Sequence, residues 1–344
     1  MGLRPVYRLL ANQTDLTNTI RRRLISLRYT DEAGLDSDVL EIVLADNEPD
    51  HPIEIPPTGA ELELYLGYDD MAERIGLFIA DEVELSGWPG QMTIRARAAP
   101  FEKSKAGKIN LQSQKTRDWD AGTMLGDIVK VIASEHGLIP AVAEDLASVV
   151  LPHLAQIDES DINFLSRVIR RYDAVIKPAG GKLALAKIGE AKTVGGRDMS
   201  AVTLTPGDVS SWRMSIAKRE TSCTVIACWH ETEEAKRHEV QVGKGEPKTR
   251  LKMYYANQDL ARAAAETELR KRERGTVSVS VTLPGRTDLM AEGRLILKGF
   301  RAGVNGEWSI KRAEHSLGSG GYTTSVEAET PNTGSAPKVE DVAD

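Results

Sequence analysis

The last third of the chain carries the sequence pattern that most restricts what it can fold into. Residues 276–283 read Thr-Val-Ser-Val-Ser-Val-Thr-Leu, so hydroxyl and aliphatic side chains alternate without a break. Alternation with a period of two is typical of a β-strand that has one buried and one solvent-facing side. Three more strand patterns follow at residues 293–300, 306–315 and 320–329, separated by Gly or Pro. Together they predict a strand-rich C-terminal region.

Residues 1–100 also predict β-structure. The segment 91–98 alternates between aliphatic residues on one side and Thr93, Arg95 and Arg97 on the other. Clusters of Gly, Pro and Asp separate several strands of this kind and are typical of turns. Short strands with one polar and one apolar face predict an antiparallel barrel or sandwich.

Helical spacing replaces alternation between residues 101 and 180. Apolar residues at 125, 128, 129 and 132 follow the spacing of one helix face. Thr123 is the predicted N-cap of this helix and Gly137 its predicted C-terminal stop. A second apolar face of the same kind runs from 162 to 172. This region is therefore predicted to be a helical insert between strand-rich segments.

The chain divides into four predicted segments. Residues 1–100 form a first β-barrel, residues 101–180 a helical α+β insert, and residues 181–330 a second β domain. One helix, at residues 258–274, interrupts the second β domain. Residues 331–344 lack a core pattern and are predicted to form a flexible acidic tail.

Composition argues against several classes of function. The 344 residues include 44 Lys or Arg and 51 Asp or Glu, for a net charge of −7 with both signs interspersed. A nucleic-acid-binding protein more often carries a basic stripe, so no nucleic-acid specificity is expected. No stretch approaches the ~20 apolar residues of a membrane span, and the N-terminus lacks a signal-peptide pattern. The protein is expected to fold in a cytoplasm, without membrane insertion.

The metal-binding residue types do not form a metal motif. Cys223, Cys228, His230 and His238 could bind zinc by atom type, but no C-x-x-C or H-x-x-x-H pair is present. The odd spacing of the two cysteines places them on opposite faces of one strand, which argues against a disulfide. Buried thiols and no metal are expected.

Catalytic patterns are also lacking. Glycan-hydrolysing enzymes use a pair of carboxylates, and closely spaced aspartates occur here at Asp118 with Asp120 and at Asp69 with Asp70. Acids in turns are more often caps or solvated side chains. The five tryptophans are scattered over every segment, which favours core packing over a sugar-binding platform. We expect no catalytic residue and no cofactor.

The order of several segments resembles the late control protein D family, the central baseplate hub of contractile phage tails. The resemblance is carried by residues 119–138 (Trp-Asp-Ala-Gly-Thr-Met-Leu-Gly-Asp-Ile-Val-Lys-Val-Ile-Ala-Ser-Glu-His-Gly-Leu), 156–167, 181–185 and the C-terminal strands. The same order is similar to the hub part of type VI secretion spikes. The resemblance extends over residues 5–330, and the order and spacing of the motifs carry it rather than any single motif.

This resemblance implies a β-rich α+β fold with two tail-tube-like antiparallel β-barrels around a helical α+β insert. It implies a structural homotrimer that presents six barrels and joins the hexameric tail tube, or a tube initiator, to a trimeric central spike. Other baseplate proteins and the tape measure protein are further implied partners. Because no β-helical needle pattern follows the hub, the spike is expected to be a separate chain. Assembly would take place in the bacterial cytoplasm, for a virion tail or an R-type bacteriocin.

In such an assembly one barrel face lines a channel, and the side bearing Thr93, Arg95 and Arg97 is the candidate. A merely solvated outer face is the alternative for these three residues. Two other functions stay open at this point: a tail-tip cell-wall hydrolase, and a glycan- or receptor-binding tail module.

Overall fold

The protein is strand-rich in the computed structural model, which describes residues 3–34, 37–48, 50–99, 113–179, 181–188, 201–216, 224–231, 236–274 and 277–331. Over these ranges no helix has both the length and the apolar character needed to cross a membrane.

A first β unit contains seven strands and one helical turn. They are β1 (Pro5–Ala11), β2 (Thr14–Asp15), α1 (Thr17–Ile20), β3 (Leu24–Glu32), β4 (Val39–Ala45), β5 (Glu61–Tyr68), β6 (Met71–Ser86) and β7 (Gln91–Ala98). Every second residue of β4 is buried, and so are Met92, Ile94 and Ala96 of β7. The alternation read from the sequence therefore places one apolar side of these strands in a common core.

The middle of the chain forms an insert of short strands and helices. Its elements are β8 (Gln114–Trp119), α2 (Leu125–Glu135), β9 (Ile139–Val142), α3 (Glu144–Ala147), β10 (Leu154–Ser160), α4 (Asp161–Ile169), a 3-10 turn (Arg170–Tyr172), β11 (Ala174–Ala179) and β12 (Lys182–Lys187). The apolar face of α2 and that of α4 share one core, as helical spacing predicts.

The predicted cap of α2 is wrong by one residue. Met124 occupies the N-cap position, and no side chain caps this helix. The Thr123 hydroxyl instead donates to the carbonyl oxygen of Asp120 at 2.7 Å, which closes the preceding turn. The C-terminal end agrees with the prediction, because Gly137 follows the C-cap residue His136 and has a φ of +66°.

The last part of the chain combines a second β unit with a small strand-and-helix layer. The elements are β13 (Ala201–Leu204), β14 (Ser211–Ile216), β15 (Thr224–Glu231), β16 (Lys236–Gly243), β17 (Lys248–Tyr255), α5 (Gln258–Arg274), β18 (Val277–Pro284), β19 (Arg294–Leu297), β20 (Gly306–Gly318) and β21 (Gly321–Glu329). Strands β16, β15 and β17 form their own sheet, and α5 packs on it. The helix spans the predicted residues, and the Asn257 side chain accepts the Leu260 N–H at its start (2.9 Å).

The two β units share one sheet of thirteen strands. The hydrogen-bonded order is β14-β18-β21-β20-β3-β4-β7-β6-β5-β1-β2, with β19 paired to β20 and β13 to β19. Strand β20 is long enough to pair with β19 at its start and with β3 over Arg312–Gly318. The strand-rich class with large antiparallel pairings is as predicted, and the pairings among the described strands do not close either unit into a complete barrel. Not every pairing is antiparallel, because β9–β12, β13–β19 and β15–β17 are parallel.

A buried ionic junction attaches the insert to both β units. The Lys177 ammonium on β11 donates to Asp38 Oδ1 and to the carbonyl oxygen of Glu32, each at 2.8 Å. Asp31 Oδ1 lies 3.7 Å from the same ammonium, and Asp31 Oδ2 accepts the backbone N–H of Ala291 from the second unit at 2.9 Å. One lysine and two aspartates therefore hold three parts of the chain at one point.

Asp31→Asn is expected to raise the melting temperature at pH 8 and to leave it nearly unchanged at pH 4. Burial raises the pKa of Asp31 to about 7, the Asp38 carboxylate adds to this, and Lys177 opposes it. A raised carboxyl pKa means that stability is fully present below about pH 4 and is lost as the pH rises through 7. Asparagine mimics the neutral form and still accepts the Ala291 N–H. We expect a gain of about 2–8 °C at pH 8 by calorimetry.

Asp70→Asn, at an exposed turn, is the matched control and should leave the melting temperature unchanged at both pH values. Parallel pH profiles for the wild type and Asp31→Asn would contradict the assignment of the pH dependence to Asp31.

Candidate assembly surface

A continuous polar face runs across eight neighbouring strands of the large sheet. We call it the charged face and define it as the outward side of β14, β18, β21, β20, β3, β4, β7 and β6. Residues directly opposite each other in antiparallel strands point to the same side of a sheet. One such row is Arg213–Ser280–Glu327–Arg312–Glu32, and another is Ser316–Arg28–Glu41–Arg95–Glu82. The charged face therefore passes from one β unit to the other without interruption.

Opposite charges alternate across the part of the charged face formed by β20, β3, β4, β7 and β6. Arg28 lies between Glu314 on β20 and Glu41 on β4, with N–O distances of 3.6 and 3.8 Å. Arg95 on β7 continues the series, 3.1 Å from Glu41 and 3.3 Å from Glu82 on β6. These ion pairs neutralise opposite charges on neighbouring strands, so this part of the face is polar and most of its charges are paired.

The three residues predicted to face a channel all lie on the charged face. Arg97 is 70% exposed at its side chain and pairs with Asp81 at 3.3 Å. Thr93 is half-buried between its neighbours on β4 and β6. Hydrogen bonds to Glu41 and Glu82 raise the pKa of Arg95, so its guanidinium stays charged. The assignment of these residues to a channel stays a prediction.

The β6 end of the charged face has an excess of negative charge. Arg95 contacts the carboxylates of Glu41, Glu82 and Glu84, the last also at 3.3 Å. Glu41 is shared with Arg28, whereas Glu82 and Glu84 have Arg95 as their single cation among the described residues. The side chains of Glu82 and Glu84 are each more than half exposed. Two carboxylates thus share one guanidinium at this edge.

The hollow on the charged face does not have the geometry of a glycan-cleaving site. It measures about 380 Å³ and is lined by residues that include Glu32, Glu41 and Arg312. Glu32 pairs with Arg312 at 3.1 Å, and Glu41 pairs with two arginines. Glycan hydrolysis needs an acid and a base that are free to exchange protons with substrate and water. These carboxylates are held in ion pairs instead.

The acids singled out in the sequence lie in turns or on exposed surfaces. Asp118 is 70% exposed and 3.7 Å from His153. Asp120 lies in the turn that Thr123 closes. Asp69 accepts the backbone N–H of Arg4 at 3.2 Å. Their contacts fit turn and surface roles.

The zinc candidates of the sequence do not converge either. Cys228 is buried on β15, with Arg250 Nη1 3.2 Å and Arg237 Nη2 3.5 Å from its sulfur. His238 stacks on Trp229 at 4.3 Å between ring centroids. Two guanidinium groups beside the sulfur would repel a metal cation. Cys223 lies outside the described residues, so the prediction about a disulfide is not tested.

A dense polar network in the insert was not anticipated from the sequence. The Asp161 side chain is fully buried and accepts from Arg117 Nη2 at 2.6 Å, Lys115 Nζ at 2.7 Å and Gln156 Nε2 at 2.8 Å. His136 Nε2 lies 2.7 Å from the same carboxylate. The alternating Lys115 and Arg117 of β8 are the one sequence signal that could have suggested it.

By atom type, Glu135, His136 and Asp161 could also bind a metal ion. The ammonium of Lys115 bridges Glu135 and Asp161, and Arg117 contacts both carboxylates as well. Protein cations thus already occupy the space beside these oxygens. The arrangement is that of an ion-pair network which fastens β8 to α2 and α4.

Comparison with known proteins identifies the family and the fold. The family model described as "Phage tail baseplate hub (GPD)" matches residues 91–321. The "Probable baseplate hub protein" of Escherichia phage 186 is 32% identical over 372 aligned residues, covering 95% of this chain and 93% of the relative. The protein of the same description from Escherichia phage P2 is 31% identical, with the same coverage. The crystal structure of the prophage MuSo2 43 kDa tail protein from Shewanella oneidensis shares the fold, with a TM-score of 0.70, 13% identity and coverage of 95% of this chain and 99% of that one.

The matching family model and the two relatives define the class of this chain as a structural protein of a phage tail. The chain belongs to the phage tail baseplate hub (GPD) family. Its function is that of a structural baseplate hub, and its place is in the virion tail.

Proposed function

We propose that this hub works as a homotrimer that joins the hexameric tail tube, or a tube initiator, to a trimeric central spike. Two β units per chain give six similar units in a trimer, which supplies a sixfold surface for the tube and a threefold one for the spike. Closed cyclic assemblies of this kind require interfaces that repeat around one axis. Each β unit has its own apolar core, one on either side of the β20–β3 pairing, which supports counting two units per chain.

The observation that carries the proposal is the continuity of the charged face over both β units. A face that lines a channel has to be polar across every strand, because water contacts it along its whole width. The series of ion pairs around Arg28 and Arg95 meets this requirement without a large net field. We assign this face, with Thr93, Arg95 and Arg97, to the channel lumen.

The proposal also covers the activity of the hub, its further partners and its place of assembly. The hub acts without catalysis, has no sequence-specific contact with nucleic acid, and contacts other baseplate proteins and the tape measure protein. Assembly takes place in the bacterial cytoplasm, in a contractile tail or an R-type bacteriocin. A boundary near residue 100 separates the first β unit from the insert, and we extend the insert past residue 180 to the end of β12 at Lys187. The predicted flexible tail, at residues 332–344, lies outside the described residues.

Native mass spectrometry of the full chain, alone and mixed with its spike and tube proteins, tests the proposal. We expect a mass of three chains, and a complex of three hub chains with three spike chains. A chain that stays monomeric in every mixture would contradict both the trimer and the adaptor role.

A further inference from the structure

The ionic junction around Lys177 contains three carboxylates and one ammonium. Asp38 Oδ1 and Asp31 Oδ1 lie 2.8 and 3.7 Å from the Lys177 nitrogen. The third carboxylate is Glu292, just before β19, whose Oε1 accepts the backbone N–H of Gly34 at 3.2 Å. Burial raises the pKa of Glu292, while the Gly34 N–H and the charge of Lys177 oppose this rise. When all four side chains are ionised, the junction therefore has two negative charges in excess.

Little water is available to screen this excess charge. Asp31 is 8% exposed, and the side chains of Asp38 and Lys177 are 21% and 25% exposed. An uncompensated charge away from water is unfavourable, and a buried acid loses its charge by taking up a proton. Asp31 is the acid expected to take this proton, because it is buried and lies farther from the Lys177 ammonium than Asp38 does.

Neighbouring groups on β3 and β20 do not offset the excess charge. Arg312 of β20 pairs with Glu32 at 3.1 Å, and Glu32 points to the opposite side of β3 from Asp31. Tyr29 lies on the same side of β3 as Asp31. Burial, together with the charges of Asp31 and Asp38, raises the pKa of Tyr29, so that its hydroxyl stays neutral. The charge balance of the junction is thus set by its three acids and one ammonium.

The insert has an apolar core of its own. This core is formed by residues between Trp119 and Leu185 and is separate from the cores of the two β units. The contacts of Lys177 with the first β unit are polar and involve no residue of these cores. The neighbouring 3-10 turn is held separately, because the Thr267 hydroxyl of α5 donates to the carbonyl oxygen of Arg171 at 3.0 Å. Separation of the junction would therefore leave all three cores packed and the insert attached to α5.

We propose that the ionic junction is a proton-linked latch, in which a proton on Asp31 keeps β11 of the insert against the two β units and its loss lets β11 open locally. Loss of the proton to water leaves Asp31 as a carboxylate, and its repulsion from Asp38 and Glu292 exceeds what one ammonium balances. Burial raises the pKa of Asp31 to about 7 in the closed latch, whereas an exposed aspartate has a pKa of about 4. The latch is therefore held most firmly below about pH 4, and this hold is lost as the pH rises through 7. The latch does not depend on the trimer of the proposed function.

Hydrogen exchange of the full chain, measured by mass spectrometry at pH 4 and pH 8, tests the latch. The wild type and Asp31→Asn are compared at the same pH, so that the intrinsic exchange rates of the peptides cancel. Asparagine imitates the protonated acid, and the amides of β11 should exchange at least about tenfold faster in the wild type at pH 8 and within about twofold of the variant at pH 4. Equal ratios at the two pH values would overturn the assignment to Asp31.

Urea distinguishes local opening from unfolding of the whole chain. Exchange through a local opening is nearly independent of low urea concentrations, whereas exchange through global unfolding accelerates with urea. We expect the amides of β11 in the wild type at pH 8 to show the first behaviour, and those of α2, in the core of the insert, to show the second. The same urea dependence for β11 and α2 would overturn the latch, because the pH effect would then belong to global stability.

Two further variants complete the test. Asp70→Asn, at an exposed turn, is the matched control and should exchange like the wild type at both pH values. Lys177→Gln removes the ammonium that holds the closed latch, so β11 should exchange at least about tenfold faster than in the wild type at pH 4, since a buried charge pair loses one partner. This variant tests the latch even if Asp31→Asn does not fold. Unchanged exchange of β11 in Lys177→Gln would overturn the latch.

Discussion

Trp308→Ala is expected to lower the free energy of unfolding by about 3–5 kcal/mol, the range for removing a buried aromatic side chain. Trp308 is fully buried in the core of the second β unit, where it lies on β20 opposite Leu295. Its indole N–H donates to the carbonyl oxygen of Val304 at 2.9 Å. The substitution leaves a large cavity and an unsatisfied carbonyl oxygen. Urea denaturation followed by circular dichroism measures the change.

Trp88→Ala is the matched control, because the same atoms are removed from a side chain that is 92% exposed. We expect a change within about 0.5 kcal/mol there. Trp308→Phe separates the two contributions, since it keeps most of the ring but loses the N–H donor, and its effect should lie between the other two. Similar losses for Trp88→Ala and Trp308→Ala would show that burial of Trp308 does not stabilise the hub.

Asp161→Asn is expected to destabilise the hub by about 3–5 kcal/mol, because removing one member of a buried ionic network leaves its partners uncompensated. Burial alone would favour the neutral carboxyl. Hydrogen bonds from Gln156, Lys115 and His136, with the charge of Arg117, outweigh burial and lower the pKa of Asp161 to about 2. Asparagine cannot replace the charge that these groups surround, so β8 should separate from α2 and α4.

The Asp161 network also predicts that the stability of the hub decreases as the pH falls through the acidic range. A lowered carboxyl pKa contributes stability above about pH 4, and this contribution is lost as the pH falls towards 2. The difference between the wild type and Asp161→Asn should therefore shrink between pH 5 and pH 2. Asp118→Asn, on the exposed end of β8, should behave like the wild type throughout. A constant difference at all pH values would assign the loss to packing rather than to charge.

The local patterns of the sequence were good predictors of local structure. Alternation over residues 91–98 gave the strand β7 with its buried aliphatic side, and helical spacing gave α2 with its buried face. Asn257 caps α5 as predicted. The β-rich α+β class and the hub family were also recognised from the order of these segments. The failure at Thr123 was local as well, since its hydroxyl donates to the Asp120 carbonyl oxygen in the preceding turn instead of accepting a backbone N–H at the start of α2.

These local patterns could not predict which residues distant in the sequence contact each other. Strand β3 pairs with β20 nearly 300 residues away, and Lys177 of the insert reaches Asp31 and Asp38 of the first unit. Buried ionic networks of this kind look like ordinary surface charges in a sequence, because one charged residue every few positions is typical of any solvated strand. The number of free sheet edges likewise depends on every pairing in the molecule.

The sequence by itself determined which residues of each strand face the core and which face water, because side-chain direction alternates along a single strand and needs no partner. Only the tertiary structure decided that the polar sides of eight strands join into one charged face with an open edge at each end. The physical reason is that hydrogen bonding between strands is nearly independent of side chains. Which edges meet is therefore selected by the packing of the whole chain rather than by any segment of it.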